Sequence, residues 1–295
     1  DTYYVPDDIG TIQGALNAAV AGDEIIVRDG VYTGAGNREI DFNGKAVTLR
    51  SENGPAACII DVEGSETANH HAFNFLSGET TASILDGFTI TGGYEGSGGG
   101  LYLHNGSPTI TNCIISGNTA TSRGGGIYSY FSNPVISNCV ISGNTSADSG
   151  GGLYFWYQSP QVVNCTITDN TALTGGGIRC VTCSPSITNT ILWNNTATTG
   201  PEIYLTNTAN LTVSYSDVEG GQAAAYVGSG CTLNWGAGNI DEDPLFAASD
   251  YHLTADSPCI DAGADAGAYG DIDAEARPQI LGFDIGADEY AELTS

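Results

Sequence analysis

The chain has 295 residues and a formal net charge of −27, from seven Lys and Arg against 34 Asp and Glu, and it contains no Met. Such a field repels nucleic acid, anionic membranes and polyuronates unless a divalent cation bridges them, and no apolar run reaches the length that spans a bilayer. With no initiator Met, the numbered chain reads as a processed or trimmed product. Removal of a secretory signal is the simplest account, so a secreted or cell-surface location is expected.

In chain order, the first predicted element is a short helix. Thr11-Ile-Gln-Gly-Ala-Leu-Asn-Ala-Ala-Val sets Ile12, Ala15, Leu16 and Ala19 on one side. Such a helix suits the open end of a solenoid, where unpaired strand edges would otherwise template aggregation. Glu24-Ile-Ile-Val-Arg and Ala46-Val-Thr-Leu-Arg read as strands of early coils. In Asp86-Gly-Phe-Thr-Ile-Thr-Gly-Gly, Phe88 lies 25 residues before Cys113 and marks a further coil.

Four segments then repeat almost word for word. Each opens on Gly-Gly-Gly, at Gly98, Gly124, Gly150 and Gly175, with starts 26, 26 and 25 residues apart. A fixed period of this length marks a solenoid. Aligned, the segments give apolar columns: Leu101, Ile127, Leu153 and Ile178, then Leu103, Ser129, Phe155 and Cys180 two residues on. Alternation of this kind is a strand with one buried face. A second strand follows Pro108, Pro134, Pro160 and Pro185. Its inward columns are Ile110, Ile136, Val162, Ile187, then Cys113, Cys139, Cys165, Thr190, and then Ile115, Ile141, Ile167, Leu192.

Helical periodicity is absent, and β-branched residues fill the apolar columns. Short strands between Gly and Asn corners make one coil of a right-handed parallel β-helix, with coils stacked about 4.8 Å apart. Asn112, Asn138, Asn164 and Asn189 fall in register at one bend, and Asn118, Asn144, Asn170 and Asn195 at the next. Asn tolerates the left-handed backbone of a sharp corner, and stacked amides bond one another.

After Gly200, Glu202-Ile-Tyr-Leu and Leu211-Thr-Val-Ser-Tyr add at least one coil, and from about residue 236 the period is lost. The expected fold is therefore all-β. A parallel β-helix with its N-terminal cap spans 1–235, with regular 25–26-residue coils at 98–200, and 236–295 forms an acidic, loop-rich C-terminal cap continuous with the solenoid.

Three segments carry a resemblance: Tyr3-Tyr-Val-Pro with Thr11-Ile-Gln-Gly-Ala-Leu, the Asn-Cys-x-Ile-x-Gly/Asp-Asn coils, and a C-terminal part. That last part includes Asn239-Ile-Asp-Glu-Asp-Pro-Leu-Phe, Tyr251-His-Leu, Ser257-Pro-Cys-Ile-Asp-Ala-Gly and Asp284-Ile-Gly-Ala-Asp-Glu-Tyr. Over essentially its whole length the chain resembles the secreted bacterial right-handed parallel β-helix repeat proteins of the pectate-lyase-like superfamily. The resemblance implies fold. Enzymes on this fold cleave or de-esterify polysaccharides.

A lyase needs a base and a cation or Arg to neutralise the uronate, and a hydrolase needs two carboxyl groups roughly 5–9.5 Å apart. Between Gly98 and Gly200 the only acids are Asp148 and Asp169, the only cationic side chains Arg123 and Arg179, and the only histidine His104. The regular coils thus read as chemically bare. Arg123, His104, Tyr128, Tyr130 and Arg179 are the catalytic candidates if the protein is a lyase or hydrolase.

The outward columns are aromatic instead. Tyr102, Tyr128 and Tyr154 form one, and His104, Tyr130 and Trp156 the next, with Tyr157 adjacent. They are read either as cross-coil stacking or as a binding surface of Tyr102, Tyr128, Tyr154, Tyr130 and Trp156 for a glycan or for another copy of the chain.

Cys113, Cys139 and Cys165 read as an interior ladder of free thiols, Cys180-Val-Thr-Cys183 as packing or a local disulfide, and Cys231 with Cys259 as a tie to the terminal region. The acidic cluster Asp241, Glu242 and Asp243, and Asp271 and Asp273 downstream, offer hard oxygen ligands suited to Ca²⁺, or else solvated loop acids.

These features favour a non-catalytic structural, adhesive or self-assembling protein of filament or surface-layer type. Its partners would be itself or an extracellular glycan, with no nucleic acid and no membrane span. The alternative is a polysaccharide-active enzyme or a carbohydrate-binding module.

Overall fold

The computed structural model describes residues 1–247, 250–267, 270–279 and 281–291, and in it the chain winds into a parallel β-solenoid of about nine turns. The helix Ile12–Ala18 lies across the first coil. Thr11 caps it by accepting from Gly14 N, and Ile12, Ala15 and Leu16 are buried beneath it.

Three long sheets form the walls. A ten-stranded sheet runs from Thr2–Val5 to Thr232–Trp235, and an eight-stranded flank sheet from Gly30–Tyr32 to Asp217–Val218. The third wall has eight strands, from Ile40–Asp41 to Tyr226–Val227, and is called the aromatic sheet below. Among the described residues every pairing between these strands is parallel, in the register the sequence spacing predicts: Leu101 lies beside Ile127, Ile127 beside Leu153, and Leu153 beside Ile178. A small sheet of Tyr94–Ser97, Thr119–Arg123 and Thr145–Ser146 edges the aromatic sheet.

All the inward columns named from the sequence are buried, including Cys113, Cys139 and Cys165, whose thiols donate to the carbonyls of Thr111, Ser137 and Val163 at 3.1, 3.1 and 3.2 Å. All eight cysteines are free. The first glycine of each triplet has positive φ, +64° at Gly124. The second touches the next coil: a Cβ on Gly125 would lie 2.5 Å from the carbonyls of both Gly151 and Thr145. The corner asparagines Asn112, Asn138, Asn164 and Asn189 take φ between 50° and 51°.

The other asparagine column is a buried hydrogen-bonded ladder. Asn118 Nδ2 donates to Asn144 Oδ1, Asn144 Nδ2 to Asn170 Oδ1 and Asn170 Nδ2 to Asn195 Oδ1, at 3.0, 3.0 and 2.9 Å. Each acceptor also takes the preceding asparagine's backbone N–H. The next coil has no asparagine to continue it. Glu202, in place of the third glycine of the triplet, ends the ladder by accepting from Asn195 N at 2.9 Å and from Asn195 Nδ2 at 2.5 Å.

From residue 250 the chain runs back along the flank sheet as a strap. The outward side chains of that sheet are apolar at Ile114, Val140 and Ile191; Ile272 and Ala287 pack on the first two and Ile285 on the third. Asn189 exchanges hydrogen bonds with Ala264, Asn138 donates to Gly270 O, and Thr166 Oγ1 accepts from Ala287 N. Buried Arg277 pins the strap's return by donating to the carbonyls of Gly286 and Asp288 at 2.7 and 2.9 Å.

The terminal region expected as an end cap therefore lies along the side, because the flank sheet carries apolar residues on both faces and needs cover on both. Cys259 follows the strap to Asp217, at 3.3 Å, while Cys231 packs, partly buried, against the solenoid core, so the tie expected between them is not formed. At the far end, Leu233 and Trp235, which continue the inward columns of Leu211 and Val213, are only half-buried, and Val227 is 42% exposed. No helix of the described residues is long and apolar enough to cross a membrane.

Candidate binding face

The strand register brings the sequence-predicted aromatic residues together. Tyr102, Tyr128 and Tyr154 are vertical neighbours on the aromatic sheet, with ring centroids 5.3 and 5.4 Å apart and near-parallel planes. The column is longer than the regular repeat disclosed. His71 stacks on Tyr102 at 5.2 Å, and beyond Tyr154 come Arg179, Tyr204 and Tyr226, with the Arg179 guanidinium 4.4 Å from the centre of the Tyr204 ring.

The repeat does not reveal Tyr204 and Tyr226 as members of this column, because the Gly-Gly-Gly signal lapses into Gly200-Pro-Glu. The Ile203-Tyr-Leu pattern was the cue that remained. Arg179 is held by Thr174 Oγ1 at 2.8 Å.

Because their faces are spent on one another, Tyr128 and Tyr154 are only 5% and 4% exposed. Burial pushes the Tyr128 phenol up to about 12, with Tyr102 and Tyr154 adding to the shift, and raises the phenols of Tyr102 and Tyr154 as well. None of these three is a phenolate near neutral pH, so they act as hydrogen-bond donors rather than bases.

The second column is more open. His104, Tyr130 and Trp156 are neighbours in successive coils, with centroids 5.0 and 4.9 Å apart. Phe131 and Tyr157 extend it into the adjoining turn, where they stack at 4.5 Å and 5°. Both hold positive φ, which turns the chain sharply after each strand. Tyr130, Trp156 and Tyr157 are part-exposed, and Phe131 is 39% exposed. Arg123, from the small edge sheet, reaches over Tyr154 and Trp156, 5.8 and 5.4 Å from the ring centres. The catalytic candidates Arg123, His104, Tyr128 and Tyr130 thus belong to this one face, with Arg179 a coil further along. From Tyr102 to Tyr226 neither outward column carries a carboxylate.

The residues named for calcium are dispersed. Asp241, Glu242 and Asp243 are exposed, and the Asp241 and Asp243 carboxylates accept from Gly220 N and Leu245 N. Asp271 is buried; its two oxygens take the backbone N–H groups of Asp273, Glu275 and Glu289. Asp273 lies instead beside His252.

A separate charged groove of about 200 Å³ opens between the ten-stranded sheet and the strap, lined by Arg50, Glu52, Asp86, Asn112 and Asp271. Arg50 also pairs with Glu24 at 2.7 Å, and Asp86, whose carboxyl burial raises, accepts from Asn112 at 2.7 Å.

Comparison with known proteins concerns the scaffold. A family profile described as "Right handed beta helix region" matches residues 75–240. Among solved structures the chain is similar to one described as the crystal structure of pectate lyase Pel9A. The two share 16% identity with a TM-score of 0.52, over 98% of this chain and 96% of that one. No curated protein sequence matches it. At that identity the likeness is one of fold alone. On the extent of the profile match and the observed winding, the chain belongs to the right-handed β-helix family, with the pectate-lyase-like fold.

Proposed function

We propose that the protein is a secreted or cell-surface, non-catalytic adhesive β-helix that binds an extended, uncharged glycan along the open margin of the aromatic sheet. The observation that carries this reading is the group of part-exposed rings at His104, Tyr130, Phe131, Trp156 and Tyr157, gathered from neighbouring coils on a wall that the strap leaves uncovered. Aromatic side chains offer apolar contact to sugar C–H groups, and the Arg123 guanidinium beside them offers donors to hydroxyls. The net charge of −27 favours an uncharged chain over a polyuronate. Outward columns free of carboxylate, with raised phenols, favour retention over hydrolysis on this face.

Isothermal titration against a panel of neutral and acidic polysaccharides tests the proposal. Neutral glycans bind, and Trp156→Ala or Tyr130→Ala weakens binding by roughly tenfold, about 1.4 kcal/mol, with the far-ultraviolet circular dichroism unchanged. Unaltered affinity in both variants removes the aromatic margin as the site.

The second reading, a polysaccharide-active enzyme, is supported by the similarity of fold to a pectate lyase together with the groove lined by Arg50 and Asp86. Release of unsaturated or reducing ends from any glycan would replace the first reading with this one.

A further inference from the structure

The strap brings together one group of side chains that neither the aromatic face nor the groove uses. His252, Asp273 and Asp288 come from three separate stretches of the strap, and one donor atom from each lies within 4.8 Å of the others. The imidazole is aimed by both nitrogens: Nε2 is 2.7 Å from Asp273 Oδ2, and Nδ1 is 3.0 Å from Asp250 Oδ1. A carboxylate on the remote nitrogen is the arrangement that orients a metal-binding histidine, because it fixes the tautomer and presents the other nitrogen to the ion.

Asp288 is buried, and its Oδ2 accepts from Leu253 N at 2.7 Å, which fastens its loop to the residue after His252. The loops of Asp273 and Asp288 are tied in turn by Asp271, which takes the N–H groups of Asp273 and Glu289. Between these loops lies an open hollow of about 340 Å³, lined by His252, Asp273, Glu275, Asp288 and Glu289. On the inner side is a smaller cavity of about 120 Å³, walled by Ile114, Val140, Ile272 and Ala287.

We propose that His252, Asp273 and Asp288 form a structural site for a divalent transition-metal ion of the Zn²⁺ class, with Asp250 as the outer partner of the histidine. One imidazole and two carboxylates suit zinc and its neighbours. Calcium prefers six to eight oxygen ligands and magnesium an octahedral oxygen shell. Water from the open hollow completes the coordination. The ion does mechanical work: 250–253, 271–275 and 287–290 carry almost no regular strand pairing, and a single ion joins all three.

The test uses the full chain stripped with a chelator and titrated with Co²⁺, whose visible spectrum reports nitrogen and oxygen coordination. Wild type takes up one equivalent at micromolar concentration, Zn²⁺ displaces it, millimolar Ca²⁺ does not, and the melting temperature rises by several degrees. His252→Ala and Asp273→Asn each lower the affinity at least tenfold, with the solenoid's circular dichroism retained, while His70→Ala leaves it unchanged. Absence of stoichiometric uptake, uptake indifferent to both site variants, or displacement by Ca²⁺ would overturn the proposal. Glycan binding at the aromatic margin is a separate readout and stands or falls independently.

Discussion

At the scale of single residues, the end of the asparagine ladder is the sharpest case of chemistry imposed by position. An amide ladder passes its hydrogen bonds one way, and the last rung needs an acceptor in place of a further amide. Glu202 supplies that acceptor at the cost of burial, which, with Glu219 nearby, pushes its carboxyl up to about 8 despite the two bonds from Asn195. The unfolded chain titrates this group near 4.5. Below that pH both states are protonated and the contribution to stability is full. Between about 4.5 and 8 the folded state alone keeps the proton, so stability falls as pH rises through that window. The shift corresponds to an upper bound on the order of 5 kcal/mol. Glu202→Gln does not ionise; its amide oxygen keeps one of the two acceptor positions, and its NH2 replaces the other. Thermal melts from pH 5 to pH 9 should show a smaller decline in this variant than in wild type; parallel declines would remove Glu202 from the account.

Gly125 gives a second residue-scale expectation. Its absent Cβ is what lets two coils approach, so Gly125→Ala drives a methyl against the carbonyls of Gly151 and Thr145. A loss of about 2 kcal/mol or more is expected in denaturant unfolding. Ala tolerated without loss would mean that the coils can spread.

At the scale of elements, the coils were readable because their inward columns repeat one residue class every 25 or 26 positions: Ile110, Ile136, Val162 and Ile187 leave little choice of register. The aromatic columns follow from the same register, which sets Tyr102, Tyr128 and Tyr154 in one line by spacing alone. What the residues did not disclose is equally physical. The spacing puts Ile115 in an inward column, but Ile114 beside it is apolar too, and alternation does not say that it needs an outside cover. The strap that covers it has no period of its own. His252, Asp273 and Asp288 are 21 and 15 residues apart in an aperiodic stretch and meet only because the strap doubles back. Nor does sequence alternation tell a stacked tyrosine from an open one: Tyr128 and Tyr130 both point outward, yet only Tyr130 stays part-exposed.

At the scale of the whole molecule, the strap divides the surface. It seals one wall, leaves the aromatic wall uncovered, and concentrates buried acids, with burial pushing Asp217 and Asp288 up to about 6 and Glu289 up to about 7. Truncation after residue 247 should expose Ile114, Val140 and Ile191 together, an apolar stripe of the kind that promotes association. The truncated chain is expected to bind a hydrophobic dye, melt well below wild type and aggregate on concentration. A truncated protein that stayed monomeric and dye-silent would mean that the strap is dispensable cover.

The strap also works as a gauge of length. It grips the corner asparagines Asn138 and Asn189, two turns apart, through partners at Gly270 and Ala264, which are close together in its sequence. A solenoid built of near-identical turns could otherwise gain or lose one at small penalty, since any turn fits on any other. Here an added or missing turn between those two grips would throw the tail out of step by a whole layer. Ancestral lengthening or shortening of this stretch would therefore have required a matching change in the tail, whereas turns outside that interval were free of this constraint.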